Sequence, residues 1–586
     1  DIQDKTKQTG YMLNFTADLN IWKNIITLKG VYGINQESMR RSTYIPSDIY
    51  FDRMYKSRGN ISSERRQHQT MAPMLQFSKK FADIIQVDAL VGMGKYLEDY
   101  EGYAISYEGT HDIINEHDIS SATGKITPTS YTGKNQKRSQ FAKLSVDLLD
   151  RYVVAATLRR DGTDKFFPDK KYALFPSVSA AWKISNESFL RDIKWLSLLK
   201  IRASWGKTGQ DNLGSSLYGT YYATNFKVGF NSNSDFYIPF LLGSSDYPDV
   251  SWQKTTMKNI GVDFFLFDDR LSGSFDLYRN DVTDLLGSAS NSPLAIFSSR
   301  PINGAHFYRR GWEITLNSVN LKGKFEWRTT LNLSRVQQFW KKRMPNYDYQ
   351  AYQQRDNEPL AAIYYYKIDG YINTDRSNMP ESQKSLQSTA QMPGCPIIDD
   401  KNGDGIIDIN DIHKRNTTPD LYLGFGNTFE YKNFDLDIFM YGQFGAYKYN
   451  MALSAAQAGP LVNTPAFNSN KYAYRLWNSQ INPNGTRPGI AYSKMGALPG
   501  GCGVNADMEN ASFMRIRNIT LGYTIPINKR ILEKVRVYVS GENLAYWSPL
   551  KRYSKTVDPE VATTSATNDC LYPYSRTFSV GVDITF

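Results

Sequence analysis

Only one stretch combines residue types and spacing that could do defined chemistry: 400–411, DKNGDGIIDIND. Asp400, Asn402 and Asp404 stand at positions 1, 3 and 5 of a twelve-residue frame, with Gly405 at 6, Ile406 at 7, Asp408 at 9 and Asp411 at 12. That is the oxygen-ligand spacing of a calcium loop. Three short side chains wrap a hard cation, glycine allows the sharp turn, and a backbone carbonyl and a last carboxylate complete the set. The expected ion is calcium, with a structural role in pinning the long connection 373–418. Asp411 departs from the usual Glu, a shorter carboxylate that reaches less easily for bidentate binding, and no helices flank the loop. The competing reading is a Gly/Asp-rich surface turn that binds nothing.

Other candidates are weaker. His111 and His117, with Asp112, Glu116 and Asp118, are spaced i, i+6, which suits neither a helix face nor a zinc motif, so a solvated loop is expected. GMGKY at 92–96 has too few glycines to cradle a phosphate and sits inside a strand pattern, where glycines mark bends or bulges. Cys395, Cys502 and Cys570 make neither a disulfide scaffold nor a CxxC site; one bridge is conceivable and the sequence does not say which. Tyr218, Tyr221, Tyr222, Phe236, Tyr237, Tyr364, Tyr365 and Tyr366 could stack on sugar rings or peptide side chains, or serve as girdle or packing residues. No nucleophile elbow, phosphate loop or carboxylate pair stands out. No catalytic residue is assigned, and the chain is not expected to be an enzyme.

The elements that must carry these residues follow one pattern, an alternating segment of ten to fourteen residues and then a turn. In 270–278, Leu271, Gly273, Phe275 and Leu277 face one way and Ser272, Ser274, Asp276 and Tyr278 the other. Ile260, Val262, Phe264 and Leu266 alternate just before it, so the pair reads as a hairpin. Similar segments predict strands over 11–19, 25–35, 69–78, 84–96, 140–149, 151–160, 172–184, 199–207, 306–318, 324–336, 363–372, 420–431, 434–440, 512–524, 535–540 and 576–586. Seventeen or eighteen strands are expected, several of them long enough to cross a bilayer when tilted.

Connections alternate in length. Short turns at 20–24, 79–83, 268–270 and 431–433 contrast with long excursions that include 97–137, 208–251, 373–418, 446–510 and 548–574. Tight hairpins on one rim and elaborated loops on the other are how outer-membrane barrels are built, whereas propellers and sandwiches space their turns more evenly. The closing segment 576–586 puts Phe578, Val580, Val582, Ile584 and Phe586 on one face, and ends on an aromatic residue.

Composition fits that frame. Aromatics reach 14% of 586 residues, with 40 Tyr, 30 Phe and 10 Trp, as belts at two water–lipid boundaries would require. No run of about 18 apolar residues exists, which excludes a helical membrane protein and leaves a barrel open, because barrel strands show lipid only alternate side chains. The net charge of +11 comes with no nucleic-acid motif, so no nucleic-acid partner is expected.

Four blocks resemble the SusC/RagA class of TonB-dependent outer-membrane transporters. They are 151–209 (RYVVAATLRRDGTDKFFPDKKYALFPSVSAAW, NESFL and KIRASWGKTG), 252–286 (WQKTTMKNIGVDFFLFDDRLSGSFDLYRNDVTDLL), 399–434, and 512–560 with GENL at 541–544 and DPE at 558–560. The resemblance covers about 140–586 and keeps the order of the segments.

It implies an all-β fold, a large antiparallel transmembrane barrel of about 22 strands, most of them in this chain, with the plug domain absent from it. Residues 1–586 are then expected to be the C-terminal part of the barrel, since the polar 1–10 carry no export signal and the strand count falls short of closure. The implied function is TonB-dependent import of a bulky nutrient, an oligosaccharide or else an oligopeptide, across the bacterial outer membrane. The implied partners are a SusD-like surface lipoprotein, the plug and first strands, TonB–ExbB–ExbD acting through that N-terminal region, and the lipid bilayer. A non-energised surface-binding or adhesin barrel is the alternative.

Overall fold

The computed structural model describes residues 2–48, 56–112, 119–213, 222–223, 228–229, 236–237, 241–242, 246–295, 298–345, 347, 349–355, 357–449, 476–526, 532–552, 558–560 and 574–585. Seventeen strands form one antiparallel sheet. The other described elements are short strands and single 3₁₀ turns, and no α-helix occurs among the described residues. Two compact units are distinguished, Asp1–Trp182 with Ala203–Met257 and Thr283–Gly304, and Lys183–Arg202 with Lys258–Val282 and Ala305–Phe586.

In the first unit, Gln3–Trp22, Ile26–Ile45, Arg58–Phe81, Ile85–Glu108, Ile126–Leu148, Tyr152–Thr163 and Tyr172–Lys183 pair consecutively as a meander. Because directly opposed residues share a face, the register reads out rows across the sheet. One row runs Leu28, Leu75, Val91, Ala142, Leu158 and Pro176. The row beneath runs Ile26, Phe77, Ala89, Leu144, Ala156 and Val178. Leu28, Leu75, Val91, Leu144, Leu158 and Val178 are all exposed, so this apolar face covers no protein core.

The apolar face ends on aromatic residues. Tyr152 and Trp182 stack at 6.3 Å beside the short turns, and Tyr172 marks the other limit. Tyr172 and Trp182 lie ten residues apart (182 − 172) on one strand, which at about 3.3 Å per residue and a tilt near 40° gives a band roughly 25 Å tall. That is the height of a hydrocarbon core. The opposite face is polar: Ser78 bonds Asp88 at 2.6 Å, and Arg159 bonds Asp161 at 2.8 Å.

The second unit repeats the scheme in Ser299–Leu321 (from Ala305), Phe325–Lys342, Leu421–Tyr431, Phe434–Phe444, Phe513–Ile525, Lys534–Trp547 and Thr577–Thr585. Phe325, Trp327 and Phe429 stack near its short turns, with Phe434 on Tyr523 at 4.7 Å. The polar face holds an Asp435–Arg536–Asp583 chain, at 2.9 and 3.2 Å. Phe275, Leu277, Val580 and Ile584 are exposed, as the sequence pattern required, while Phe586 lies outside the described residues.

Two expectations need correction. Residues 363–372 are not a strand of the large sheet: they split into Ala362–Tyr366, paired with His413–Asn416, and Ile368–Tyr371, paired with Pro396–Ile398. Their alternation comes from a small core of their own. Several strands also run further than expected. Arg58–Phe81 and Ile85–Glu108 are each 24 residues long, about twice what a bilayer needs, so the expected loop 97–137 narrows to the connection between Glu108 and Ile126.

Candidate functional site

The long connections of the second unit fold together into a module. Ala362–Tyr366 joins His413–Asn416 on one side and, in parallel, Gly503–Val504 on the other. Around them Tyr352, Tyr366, Ile372, Leu386, Ile398, Ile407, Ile412, Leu498 and Val504 form a buried core separate from the large sheet. Buried polar groups are matched there, as burial demands. Gln383, fully buried, donates to Ala390 O and Pro396 O at 3.1 Å and accepts from Ile398 N at 3.0 Å. Glu358 accepts from Lys414 Nζ at 2.7 Å and Tyr364 OH at 3.1 Å.

The 400–411 loop is docked on this core. The single hydroxyl proton of Tyr366 is shared between two carbonyls, Asp408 O at 2.8 Å and Pro499 O at 3.0 Å. Asp411 is fully buried; one of its oxygens accepts from Lys401 N at 3.0 Å and the other from Asp408 N at 2.8 Å, closing the loop end to end. Asp400 accepts from Gly403 N and Gly405 N, both at 2.8 Å, and Asp404 accepts from Ile406 N at 2.9 Å. Asn402 Nδ2 donates to Asp404 at 2.8 Å, and Asp408 accepts from Asn410 N at 2.7 Å. Gly403 (φ 71°) and Gly405 (φ 82°) take the left-handed turns that side chains resist.

The frame read from the sequence therefore folds as a tight oxygen-rich turn, with Asn402, Asp404 and Ile406 exposed, Asp400 half-buried and Asp411 beneath. Each carboxylate oxygen that accepts one N–H keeps a second lone pair for a cation. Among the described residues no three His, Cys, Asp or Glu side chains converge as a metal-holding group. Asp411 serves the backbone at both oxygens, which fits its short reach.

The remaining candidates separate. Tyr364 and Tyr366 are packing residues with bonded hydroxyls, and Tyr365 stacks on His413 at 5.8 Å. Tyr218 and Tyr221 lie outside the described residues, as do His117, Glu116, Asp118 and Cys570. Asp112 lies half-buried in the turn beyond Glu108, beside the exposed His111. It accepts from Tyr44 OH at 2.7 Å and Ser47 Oγ at 2.6 Å, and these hydroxyls hold its carboxyl below the usual range. Cys395 and Cys502 are both buried free thiols, one donating to Thr389 O at 3.4 Å and the other to Tyr352 OH at 3.1 Å, and burial pushes the Cys395 thiol up to about 11.

Sequence reasoning missed a clamp. Arg515, 1% exposed, meets both oxygens of Asp558 at 2.7 Å and Glu560 at 2.6 Å. Its guanidinium lies 4.8 Å from the Tyr546 ring centroid. The DPE string at 558–560 was visible, but nothing in the sequence pairs it with a residue more than forty positions away (558 − 515 = 43).

A long antiparallel sheet with an apolar, aromatic-bounded face of bilayer height and a folded module on its long loops defines an integral outer-membrane β-barrel. Residues 1–363 match the family described as TonB dependent receptor-like, beta-barrel, and the chain belongs to that family. It is 25% identical to TonB-dependent receptor P3 of Formosa agariphila, over 100% of this chain and 58% of that protein. It is 27% identical to TonB-dependent receptor SusC of Bacteroides thetaiotaomicron, over 78% and 44%. The structure of the RagAB peptide transporter superposes with a TM-score of 0.78 at 18% identity, covering 100% of this chain and 62% of that one. The chain thus spans little more than half the length of P3 and less than half that of SusC.

Proposed function

We propose that this chain is the wall and outer loop assembly of a receptor that imports a bulky nutrient across the outer membrane with energy from TonB. One observation carries the reading: an outward apolar band backs onto a charge-paired polar face, and the long connections carry a module with its own core. A rigid wall and a structured outer surface are what import of a large solute needs. In a longer receptor, a plug within the barrel is the part on which TonB–ExbB–ExbD pulls. A SusD-like surface lipoprotein closes over the outer loops, and the cargo is an oligosaccharide or else an oligopeptide. No catalytic set is assigned.

The test is uptake of labelled oligosaccharides and oligopeptides by cells carrying the whole receptor, with and without TonB. Accumulation inside the outer membrane that disappears without TonB, together with a lipoprotein co-purifying in mild detergent, is the expected result. Surface binding that is indifferent to TonB would establish the adhesin reading instead.

Calcium at Asp400, Asn402, Asp404, Ile406, Asp408 and Asp411 is part of the proposal, as a stabiliser of the module. At a hundredfold excess over Kd, a bound ion adds about 2.7 kcal/mol. Chelation should lower the module's melting temperature, and Asp404→Ala should remove the sensitivity. A melting curve indifferent to chelator would leave only a well-bonded turn.

A further inference from the structure

The first unit carries a feature that transport does not use. On its apolar face lies a groove of about 590 Å³, walled by Leu28, Leu75, Val91, Met93, Leu158 and Leu174. At the groove's end toward the long loops, Lys95 on one strand directly opposes Arg138 on the next, and Arg160, opposite Gln140, lies diagonal to Arg138. All three cations are exposed.

Like charges directly opposed across strands destabilise a sheet. The partners around them are neutral. Arg160 packs 4.3 Å over the Tyr172 ring and reaches Gln140 at 3.5 Å, and the amide oxygen of Gln136 faces the Arg138 guanidinium. The acidic side chains two and three rows higher, Asp99 and Glu101, sit with Lys134 and Arg65 at 3.5 Å. In the second unit, by contrast, Arg335 has a carboxylate, Asp420, at 3.6 Å.

Height identifies the complementary anion. Lys95, Arg138, Gly162 and Tyr172 share one row, so Lys95 and Arg138 stand level with the aromatic residue that bounds the hydrocarbon band, while Arg160 starts one row lower, opposite Leu174, and packs over the Tyr172 ring. The band's other limit lies beside the short turns, and in barrels of this class short turns face the periplasm. Lys95 and Arg138 therefore lie at the headgroup level of the outer leaflet, and Arg160 stands just below them at the mouth of a groove shaped for acyl chains.

We infer that this face is a binding site for a phosphorylated lipid of the outer leaflet, with Lys95, Arg138 and Arg160 holding phosphate and the groove holding an acyl chain. The site is distinct from the import path. Its geometry couples charge and apolar surface, as an anionic lipid does.

The test uses the whole receptor in mild detergent, titrated with phosphorylated outer-membrane glycolipid and followed by native mass spectrometry. Bound lipid should survive purification. The triple variant Lys95→Gln, Arg138→Gln, Arg160→Gln should lose affinity on the order of a hundredfold, roughly fivefold for each cation near an anionic surface. Ala142→Trp, which fills the groove and keeps the charges, should also release the lipid, while heat-modifiable migration of both variants reports an intact barrel. Unchanged affinity in either folded variant overturns the proposal. So does equal binding of a zwitterionic lipid, or a receptor dimer joined through this face with no lipid bound.

Discussion

Arg515 shows how much one side chain can fix. Its guanidinium reaches two carboxylates, and removal of one member of a buried ionic set leaves the others uncompensated, at about 3–5 kcal/mol. Arg515→Ala is therefore expected to release the Asp558–Glu560 segment. Limited proteolysis should then cut near residue 558 while the barrel keeps its heat-modifiable migration. Arg515→Lys should behave almost as badly, because a lysine keeps the charge and loses the planar guanidinium that sets Nη2 on Asp558 and Nε on Glu560 at once. Equal protease resistance of the alanine variant and the parent would show that the segment is held by other contacts. The calcium loop contrasts with this clamp. Its spacing was legible because all its ligands fall within twelve residues, whereas the clamp joins distant strings whose pairing only the fold reveals.

At the scale of elements, the short hairpins combine rigid register with poor turn chemistry. Leu149 (φ 59°) and Asp150 (φ 54°) both occupy the left-handed region, at the centre of a tight turn that Arg151 N closes on Leu148 O at 3.0 Å. A leucine there is strained by about 1–2 kcal/mol, and glycine relieves it at some entropic cost to the unfolded chain. Leu149→Gly is expected to stabilise the hairpin modestly, by roughly 0.5–1 kcal/mol, read as a higher midpoint for loss of heat-modifiable migration. A lower midpoint would mean that the exposed Leu149 side chain contributes packing that outweighs the strain.

Strand positions were legible wherever lipid on one side and water on the other enforced alternation, as in Leu271–Leu277 and Phe578–Ile584. The outer extensions were not. In Glu98–Asp99–Tyr100–Glu101 both faces of the strand are polar, so periodicity vanishes although pairing continues. The segment 363–372 misled for the opposite reason. The module's core supplied an alternation that mimics the membrane's, and core residues as distant as Tyr352 and Val504 leave no local trace.

At the scale of the whole molecule, everything turns on which face meets hydrocarbon. Leu144 and Ser145 are neighbours on Ile126–Leu148 and point to opposite faces. Leu144 lies in the row with Phe77 and Val178, near mid-height of the apolar band, while Ser145 opposes Asp88 and Ala155 on the polar side. A cation at the bilayer midplane costs about 2–4 kcal/mol in a membrane barrel, and a substitution on the interior face costs far less. Leu144→Arg should therefore reduce folding stability in lipid vesicles by that amount, whereas Ser145→Arg, beside the Asp88 carboxylate, should be nearly neutral. A water-soluble sheet predicts another pattern, since an exposed Leu→Arg change is usually within about 0.5 kcal/mol. A one-residue step along the chain thus separates the two architectures, and equal tolerance at both positions would remove the membrane from the account.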